Sequence, residues 1–371
     1  MVFSLSLAGY FMERVVIVGG GIAGLSCLNA LLDKGETPIL LERASIGSPK
    51  ICGEFLAPSV IPMLKQWGVE PIQTIHQAQF FSKQTQFNLS FTKPAGAIAR
   101  KEVELQLAQR ARDKLGRIYE HTGVKKIIPA TDSSPYVFEL ESGEVIQSKA
   151  AIFATGRLGE ASKTYPSLPY FGIKMHLKHV NVPATLLMYS LKNAYLGIVP
   201  ISNEWSNCAL LAKRSAIERS GSCKAFLTDL LQANRSLQQA FQGIDIGSLE
   251  LLESPAPKFQ QRKIPAWPQA YLIGDAIASI HPAIGSGFAH GISSALLAAE
   301  CYAQNNPSGY LKQIRQVTKP KLLLGKWMNF LMLNPNLAAM AFPLLKWNPW
   351  LLNTCLRQLE YGDDRGYTPT F

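Results

Sequence analysis

The sequence predicts an α/β fold, and three stretches of the 371-residue chain indicate it. An apolar run over 15–18 precedes a glycine-rich turn and a segment of small apolar residues, which together predict a strand, a tight turn and a helix. Apolar and polar residues alternate over 76–93, as in strands of a second sheet. A third stretch predicts a buried strand over 270–275 and a small-residue helix over 288–304. Strand and helix periodicities therefore alternate along the chain.

The glycine-rich turn carries the first functional signal. Gly19, Gly21 and Gly24 match the spacing G-x-G-x-x-G. The first glycine permits the turn, the second lets a pyrophosphate approach the backbone, and the third lets the helix pack on the strand. Glu42 ends the next predicted strand, where a carboxylate can bind ribose hydroxyls. The segment predicts a dinucleotide site at a helix N-terminus. A glycine turn without a ligand is the alternative, and the spacing does not separate FAD from NAD.

A second constellation follows the strand over 270–275. Gly274 and Asp275 end that strand, and Pro282, Gly285 and Gly287 precede the next predicted helix. The aspartate can accept hydrogen bonds from sugar or ribityl hydroxyls, and the glycines let backbone N–H groups approach a ligand. If the ligand is a flavin, the helix N-terminus stabilises the negative charge that develops on reduction. The alternative is an aspartate that simply caps the helix.

The elements between these motifs follow from periodicity and turn residues. The predicted order is a loop over 44–62 entering a helix near Ser59, a helix over 101–115, strands over 124–128, 136–140, 144–146 and 150–156, further strands over 170–214, and a helix over 223–241. Residues beyond 305 predict helices rich in tryptophan, leucine and lysine. Pro335 and Pro343 are expected to interrupt them, so a single transmembrane span is not predicted.

Composition limits the partners. The net charge of +11 comes from dispersed basic residues without a nucleic-acid motif, so no nucleic acid is expected, and an anionic membrane surface is the more plausible basic-protein partner. The six cysteines form no C-x-x-C pair and no metal-ligand spacing. This indicates a reducing cytoplasm and no metal, and argues against a disulfide reductase. Residues 1–11 are a poor match to a signal peptide.

The two glycine motifs together resemble the FAD-binding fold shared by flavin hydroxylases and geranylgeranyl reductases. The segment that begins at Arg100 resembles the R-x-x-L-x-x-x-L helix of this family, with Val103 in place of a leucine. Val124 falls where the family's adenine-flanking strand begins. The resemblance implies that FAD is bound by Gly19, Gly21, Ile22, Ala23, Gly24, Glu42, Arg43, Arg100, Val124, Gly274, Asp275, Pro282, Gly285 and Gly287.

A narrower resemblance concerns the segments 50–58, 170–174 and 195–200. They look like a bacterial branch of FAD-dependent oxidoreductases that is often labelled monooxygenase and is related to geranylgeranyl reductases. Thr155 stands where flavin hydroxylases usually carry the aspartate of an Asp-Gly pair. Gly197 and Val199 replace the tryptophan and phenylalanine of the reductases' Y-x-W-x-F-P signature. The W-x-W-x-I-P motif of tryptophan halogenases is absent.

The resemblance implies an FAD-dependent oxidoreductase. A monooxygenase acting on a lipophilic or aromatic small molecule is the first expectation. A reductase of isoprenoid or other double bonds and a non-catalytic FAD-binding module are the alternatives. NAD(P)H is the expected electron donor and would visit the flavin without a Rossmann domain of its own, because the chain has one G-x-G-x-x-G fingerprint. A protein electron donor is also compatible with the sequence.

Two residues are candidates for catalysis. Cys52 lies where geranylgeranyl reductases place a substrate-side cysteine, and a small buried residue beside a turn is the alternative interpretation. Lys174, with His176, lies on a strand predicted to face the pocket, although alternation is equally compatible with solvent. His281 and His290 flank the second glycine turn and are expected to be structural hydrogen-bonding residues.

The resemblance also implies an interleaved domain organisation. A Rossmann-like FAD-binding domain is expected from 12–75, 97–165 and 265–305, and a mainly antiparallel substrate domain from 76–96 and 166–264. A helical extension would cover 306–371. The protein is expected in the cytoplasm, with peripheral membrane contact through the C-terminal stretch as the sharper alternative to simple packing. The sequence predicts no particular oligomeric state.

Overall fold

The computed structural model describes residues 12–158, 168–178, 183–256, 259–262 and 267–347, and side chains as far as residue 344. The expectation for residues 1–11 lies outside this part of the chain. The strands form one sheet of seven and one of eight. This confirms the predicted α/β fold, in which a Rossmann-like layer is combined with a mainly antiparallel sheet and C-terminal helices.

The elements follow one another in this order: β1 Met12–Val18, α1 Ile22–Asp33, β2 Ile39–Leu41, β3 Phe55–Leu56, α2 Ile61–Gln66, β4 Gln73–Ser82, β5 Thr85–Ala97, α3 Arg100–Asp113, β6 Arg117–Tyr119, β7 Val124–Ile128, β8 Tyr136–Leu140, β9 Val145–Phe153, β10 Tyr170–Lys178, β11 Thr185–Leu191, β12 Ala194–Pro200, β13 Trp205–Lys213, α4 Arg214–Ser220, α5 Cys223–Ala233, α6 Arg235–Ala240, β14 Leu252–Ala256, β15 Ala270–Leu272, α7 Gly287–Ala303, α8 Pro307–Met332 and α9 Pro335–Trp347.

The first sheet has the order β6-β2-β1-β9-β8-β7, with β15 paired to β9. Strand β1 is parallel to both of its neighbours, β2 and β9. Its residues Val15, Val16 and Ile17 are fully buried, as expected for a parallel strand covered on both faces. Two segments predicted as separate strands, 144–146 and 150–156, form the single strand β9. Its start pairs with β8 and its remainder with β1.

The second sheet has the order β14-β10-β13-β12-β11-β4-β5-β3. Its strand pairs are antiparallel except β11 with β4. Leucine and phenylalanine side chains of α5 pack with β10, β11, β12 and β13 in one apolar cluster. Residues of α8 and α9 pack with β4 and β5 in another. The sheet includes β3, which falls within the predicted range 12–75, and the domain boundaries themselves stay a prediction.

The C-terminal helices differ from expectation at one proline. The chain leaves the helical path between α8 and α9, just before Pro335, as predicted. Pro343 lies inside α9, and Pro320 lies inside α8. A proline removes one hydrogen bond from a helix but need not end it when packing holds the segment. Within the described residues, none of the helices combines the length and the hydropathy needed to cross a bilayer.

Candidate cofactor and substrate site

The first glycine turn is shaped by close backbone contacts. Gly19 has φ +108°, and a Cβ there would overlap the carbonyl of Ala154. A Cβ at Gly24 would overlap the carbonyl oxygen of Gly19. Glycine is therefore required where the first turn of α1 rests on the strand–turn backbone. This is the packing that the fingerprint predicted.

Glu42 braces the same turn. Its Oε2 accepts a hydrogen bond from the Gly20 N–H at 2.5 Å, and its Oε1 accepts one from the Ala44 N–H at 2.9 Å. The side chain is buried, whereas the neighbouring Arg43 is exposed. Each carboxylate oxygen has a further lone pair, so the predicted contact of Glu42 with a ribose is compatible with this geometry.

The N-terminus of α1 is open to an anion. Gly21 precedes the helix, and no side chain caps its first turn. A Cβ at Gly21 would lie 3.3 Å from Nη2 of Arg100, 3.8 Å from Oε1 of Glu104 and 3.9 Å from Nζ of Lys50. Both cations pair with the fully buried Glu104, at 2.8 Å from Arg100 and 3.2 Å from Lys50. Two cations share one carboxylate beside unpaired N–H groups, so the region favours a phosphate.

The second glycine turn contacts the first. Gly274 has φ +58°, and its Cβ would lie 2.8 Å from Cβ of Ala23, in the first turn of α1. The Gly274 N–H donates to Oγ of Ser294 at 2.8 Å, and the Gly274 carbonyl accepts from Nε2 of His290 at 3.1 Å. Both partners belong to α7, which therefore holds the turn in place. Burial lowers the pKa of His290 to about 4, so the ring is neutral.

The start of α7 lies at the same cavity. No side chain caps its first turn, and Gly285 and Gly287 line the cavity wall. Buried hydroxyls flank this region: Oγ of Ser286 and Oγ1 of Thr155 have no hydrogen-bond partner within the described structure. Unpaired buried hydroxyls beside an open helix N-terminus are available to a polar ligand. The carboxylate of Asp275, 3.5 Å from Nε of Arg157, also lines the cavity.

One cavity of about 320 Å³ connects both glycine turns with the second sheet. Beyond the turns its wall is mostly apolar. The side chains of this apolar part include Ala78, Phe80, Phe87, Leu89, Phe91, Leu186, Met188, Tyr195, Leu211, Ala256, Phe259, Leu324, Met328 and Phe342. They come from the second sheet, from the segment after β14, and from α8 and α9. An apolar chamber that opens onto polar glycine turns is typical of a small-molecule site.

A buried carboxylate that the sequence did not single out lines the same cavity. The Glu54 side chain is 1% exposed and its backbone has φ 55°, unusual for a residue with a side chain. Its Oε1 accepts from Nζ of Lys174 at 2.5 Å and from the Arg100 N–H at 2.8 Å. Its Oε2 pairs with Nε2 of His176 at 2.9 Å. Glu54 therefore connects the start of α3 with strand β10.

The charge state of this cluster follows from its partners. Burial alone would raise the pKa of Glu54, but His176, Lys174 and the Arg100 N–H together hold it below its ordinary value. Glu54 is therefore a carboxylate at neutral pH. Burial raises the pKa of the nearby Cys52 thiol, so Cys52 carries its proton at neutral pH. The Glu54 N–H lies 3.4 Å from Cys52 Sγ.

The predicted site residues divide between the cavity wall and its surroundings. The wall contains Gly21, Ile22, Ala23, Cys52, Arg100, Gly274, Asp275, Pro282, Gly285 and Gly287. The residues found away from it are Gly19, Gly24, Glu42, Arg43, Val124 and Lys174. Lys174 is engaged by Glu54, and Val124 is half-buried at the start of β7. The described residues hold no group of three or more potential metal ligands.

These features define a class of fold: a Rossmann-like layer whose glycine turn meets a second glycine turn and a mainly antiparallel sheet at one cavity. Solved structures of this class are similar to the chain over nearly its whole length. PqsL of P. aeruginosa in complex with 2-aminobenzoylacetate has a TM-score of 0.74 at 14% identity, covering 90% of this chain and 100% of PqsL. A second PqsL structure describes the protein as a probable FAD-dependent monooxygenase.

Two further structures match with similar coverage. The flavin-dependent brominase Bmp2 has a TM-score of 0.78 at 15% identity, with 94% of each chain covered. A geranylgeranyl bacteriochlorophyll reductase-like protein from Thermoplasma acidophilum has a TM-score of 0.72 at 16% identity, with 96% of this chain and 94% of that chain covered. No protein-family profile and no curated protein sequence matches the chain. At these identities the likeness establishes the shared fold.

Proposed function

We propose that the chain is an FAD-dependent oxidoreductase. The observation that carries this proposal is the contact between Gly274 and Ala23, which brings two glycine turns and two uncapped helix N-termini to one cavity. A dinucleotide with a phosphate group and a redox ring matches that pair of polar ends. The structural similarity to flavin-dependent proteins supports the same cofactor.

The residues present fit FAD. The N–H groups at the start of α1, with Arg100 and Lys50, would hold the pyrophosphate, and Glu42 would hold the adenosine ribose. Asp275 would accept from the ribityl hydroxyls. The start of α7 would stabilise negative charge on the flavin ring, and the unpartnered hydroxyls of Thr155 and Ser286 would be available to its polar atoms. When bound, FAD supplies the electron transfer, and the chain supplies position, charge and exclusion of water.

Within this class, a monooxygenase of a lipophilic or aromatic small molecule is the favoured activity. Phenylalanine, leucine and methionine side chains form the wall next to the second glycine turn, which suits an apolar substrate and keeps water from the reacting atoms. PqsL, with a similar fold, was solved with the small aromatic molecule 2-aminobenzoylacetate. NAD(P)H is the proposed electron donor.

One residue favours a second candidate, a reductase of isoprenoid or other double bonds. Cys52 lines the cavity and is a neutral thiol, so its Sγ can hold a proton for transfer to a reduced carbon. The similarity to the geranylgeranyl bacteriochlorophyll reductase-like fold is compatible with this activity. Both candidates involve a lipophilic substrate, and the proposal therefore includes a cytoplasmic protein with peripheral membrane contact.

Spectroscopy and gas exchange separate these activities. The purified protein should show a flavin spectrum, released FAD should be identifiable by chromatography, and NADH or NADPH should bleach the bound flavin without oxygen. Substrate-dependent oxygen uptake with hydroxylated product supports the monooxygenase. Anaerobic consumption of an alkene supports the reductase. Bound flavin that neither nucleotide bleaches, together with no substrate turnover, would instead indicate a non-catalytic FAD-binding module.

A further inference from the structure

The outer face of α8 and α9 exposes large apolar side chains. Leu323, Trp327 and Phe330 are 60%, 61% and 50% exposed, and their spacing of four and three residues places them on one side of α8. Leu337, Met340 and Leu344 of α9 are also exposed, and their spacing of three and four residues places them on one side of α9. Six exposed apolar side chains on two consecutive helices exceed the scattered exposure that is normal for a protein surface.

The same side of α8 is basic along its first half. Lys312, Arg315 and Lys319 are exposed and continue the helical spacing that leads to Leu323, and the exposed Lys326 follows. The four basic residues form no ion pair within the described part of the chain. The sequence from 301 to 359 contains no aspartate or glutamate. The surface therefore carries uncompensated positive charge next to its apolar patch.

We propose that this face of α8 and α9 docks on an anionic lipid bilayer. A helix lying in the membrane interface needs an apolar side for the acyl region and basic side chains for the anionic headgroups, and this face provides both. A second copy of the chain would be a poor occupant. In a two-fold dimer through this face, the basic residues would find no acidic partner on the same stretch of the second copy, since residues 301–359 contain no aspartate or glutamate.

The docking face lies on the helices that also enclose the cavity. Leu324 and Met328 of α8, each next in sequence to an exposed apolar residue, line the cavity, as does the buried Phe342 of α9. The two helices therefore lie between the proposed bilayer contact and the proposed substrate chamber. This part rests on the proposed function: a lipophilic substrate dissolved in the bilayer would reach the flavin between α8 and α9.

Vesicle co-sedimentation tests the docking directly. The full chain should sediment with phosphatidylglycerol-containing vesicles, bind phosphatidylcholine vesicles at least tenfold more weakly, and be released by high salt. The double variant Leu323→Ser/Trp327→Ser should lose at least tenfold in partitioning. The matched control Leu115→Ser/Trp205→Ser changes the same residue types at exposed positions elsewhere and should partition as the unchanged protein does.

The charge contribution has its own pair of variants. Lys319→Gln/Lys326→Gln should weaken binding to anionic vesicles, whereas Lys65→Gln/Lys125→Gln should leave it within twofold. Failure of the unchanged protein to bind anionic vesicles overturns the proposal. So does a dimer in light scattering that Leu323→Ser/Trp327→Ser converts to monomer without any vesicle binding, since this would identify a second copy as the occupant.

Flavin content separates this proposal from the proposed function. Each variant is measured for bound flavin as well as for vesicle partitioning. Vesicle binding by a protein that contains no flavin would leave the docking intact and contradict the proposed function. A flavoprotein that NAD(P)H bleaches but that binds no vesicle would support the proposed function and contradict the docking.

Discussion

The two ends of the cavity are built differently. At the end formed by the glycine turns, backbone atoms define the site: Gly19, Gly24 and Gly274 are glycines because other backbone or Cβ atoms approach them closely. At the other end, side chains define it, with an apolar wall and the Glu54 cluster beside it. This difference explains why the end formed by the glycine turns could be predicted from the sequence. Backbone contacts demand a residue type at fixed spacing, whereas side-chain contacts accept several residues from distant strands.

A Cβ at Gly24 should have the largest effect, because it acts on the backbone-defined end. Gly24→Ala places a methyl group against the Gly19 carbonyl, so the first turn of α1 must move away from the strand. We expect a loss of at least about 3 kcal/mol of unfolding free energy and no bound flavin.

Gly35→Ala is the control for this change. Gly35 has φ +77° and nothing within 4 Å of its Cβ position, so alanine there should cost about 1 kcal/mol from backbone conformation alone. Chemical denaturation and the flavin absorbance of both variants measure the difference. Equal stability and full flavin in Gly24→Ala would show that the turn does not need its third glycine.

Glu54→Gln should have the next largest effect, because it removes the buried carboxylate of the end that side chains define. The change keeps an acceptor for the Arg100 N–H but leaves Lys174, which is 11% exposed, without its carboxylate. We expect a loss of about 3 kcal/mol in unfolding free energy. We also expect weaker flavin retention. Arg100 is the first residue of α3, and its N–H donates to the same Glu54 carboxylate.

The matching measurement is Lys174→Met, alone and combined with Glu54→Gln. Removing both charges should restore part of the stability lost in Glu54→Gln, which a denaturation double-mutant cycle detects. Strictly additive losses would mean that Glu54 and Lys174 do not stabilise each other.

Acidification should lower the unfolding free energy by a smaller amount. Burial lowers the pKa of His290 to about 4, from an ordinary value of 6.5, so its stabilising contribution is complete above pH 6.5 and is lost as the pH falls towards 4. Between pH 7 and pH 5 the loss amounts to about 2 kcal/mol. His290→Gln can still donate to the Gly274 carbonyl but does not titrate. Its unfolding free energy should therefore depend less on pH over this range, and an unchanged dependence would assign the effect elsewhere.

Cys52→Ala should have the smallest effect on the molecule and act on turnover alone. We expect about a tenfold lower rate, or about 1.4 kcal/mol in the barrier, with flavin content unchanged. Cys208→Ala removes a buried thiol that does not line the cavity and serves as the control in steady-state assays. Unchanged turnover in Cys52→Ala would remove this thiol from the proposed chemistry.

Much of the first sheet and both glycine turns could be predicted from the sequence. Strand β7 has the predicted bounds, and α7 begins within one residue of its predicted start. Hydrophobic periodicity and glycine spacing are local properties of the sequence, so they can be recognised without knowledge of tertiary contacts. The bounds of β9 were predicted less well. Whether the chain turns between 146 and 150 or continues as one strand depends on its hydrogen bonds with β1 and β8.

The Glu54 cluster could not be predicted for a physical reason. Its partners Lys174 and His176 lie 120 and 122 residues further along the chain, on a strand whose facing side alternation alone did not settle. The segment around Glu54 resembles a segment of other FAD-dependent oxidoreductases, but only the fold shows that its carboxylate is buried among cations. Similarly, Phe342 belongs to the same stretch as the exposed Trp327, yet it is buried in the cavity wall.

The absorbance spectrum of the purified protein, followed by anaerobic titration with NADH and NADPH, tests the central claim most directly. We expect a yellow protein, or one that becomes yellow after incubation with FAD, whose bound FAD is bleached by a nicotinamide nucleotide. A colourless protein that retains no flavin after incubation with excess FAD would contradict the claim that the two glycine turns hold one cofactor.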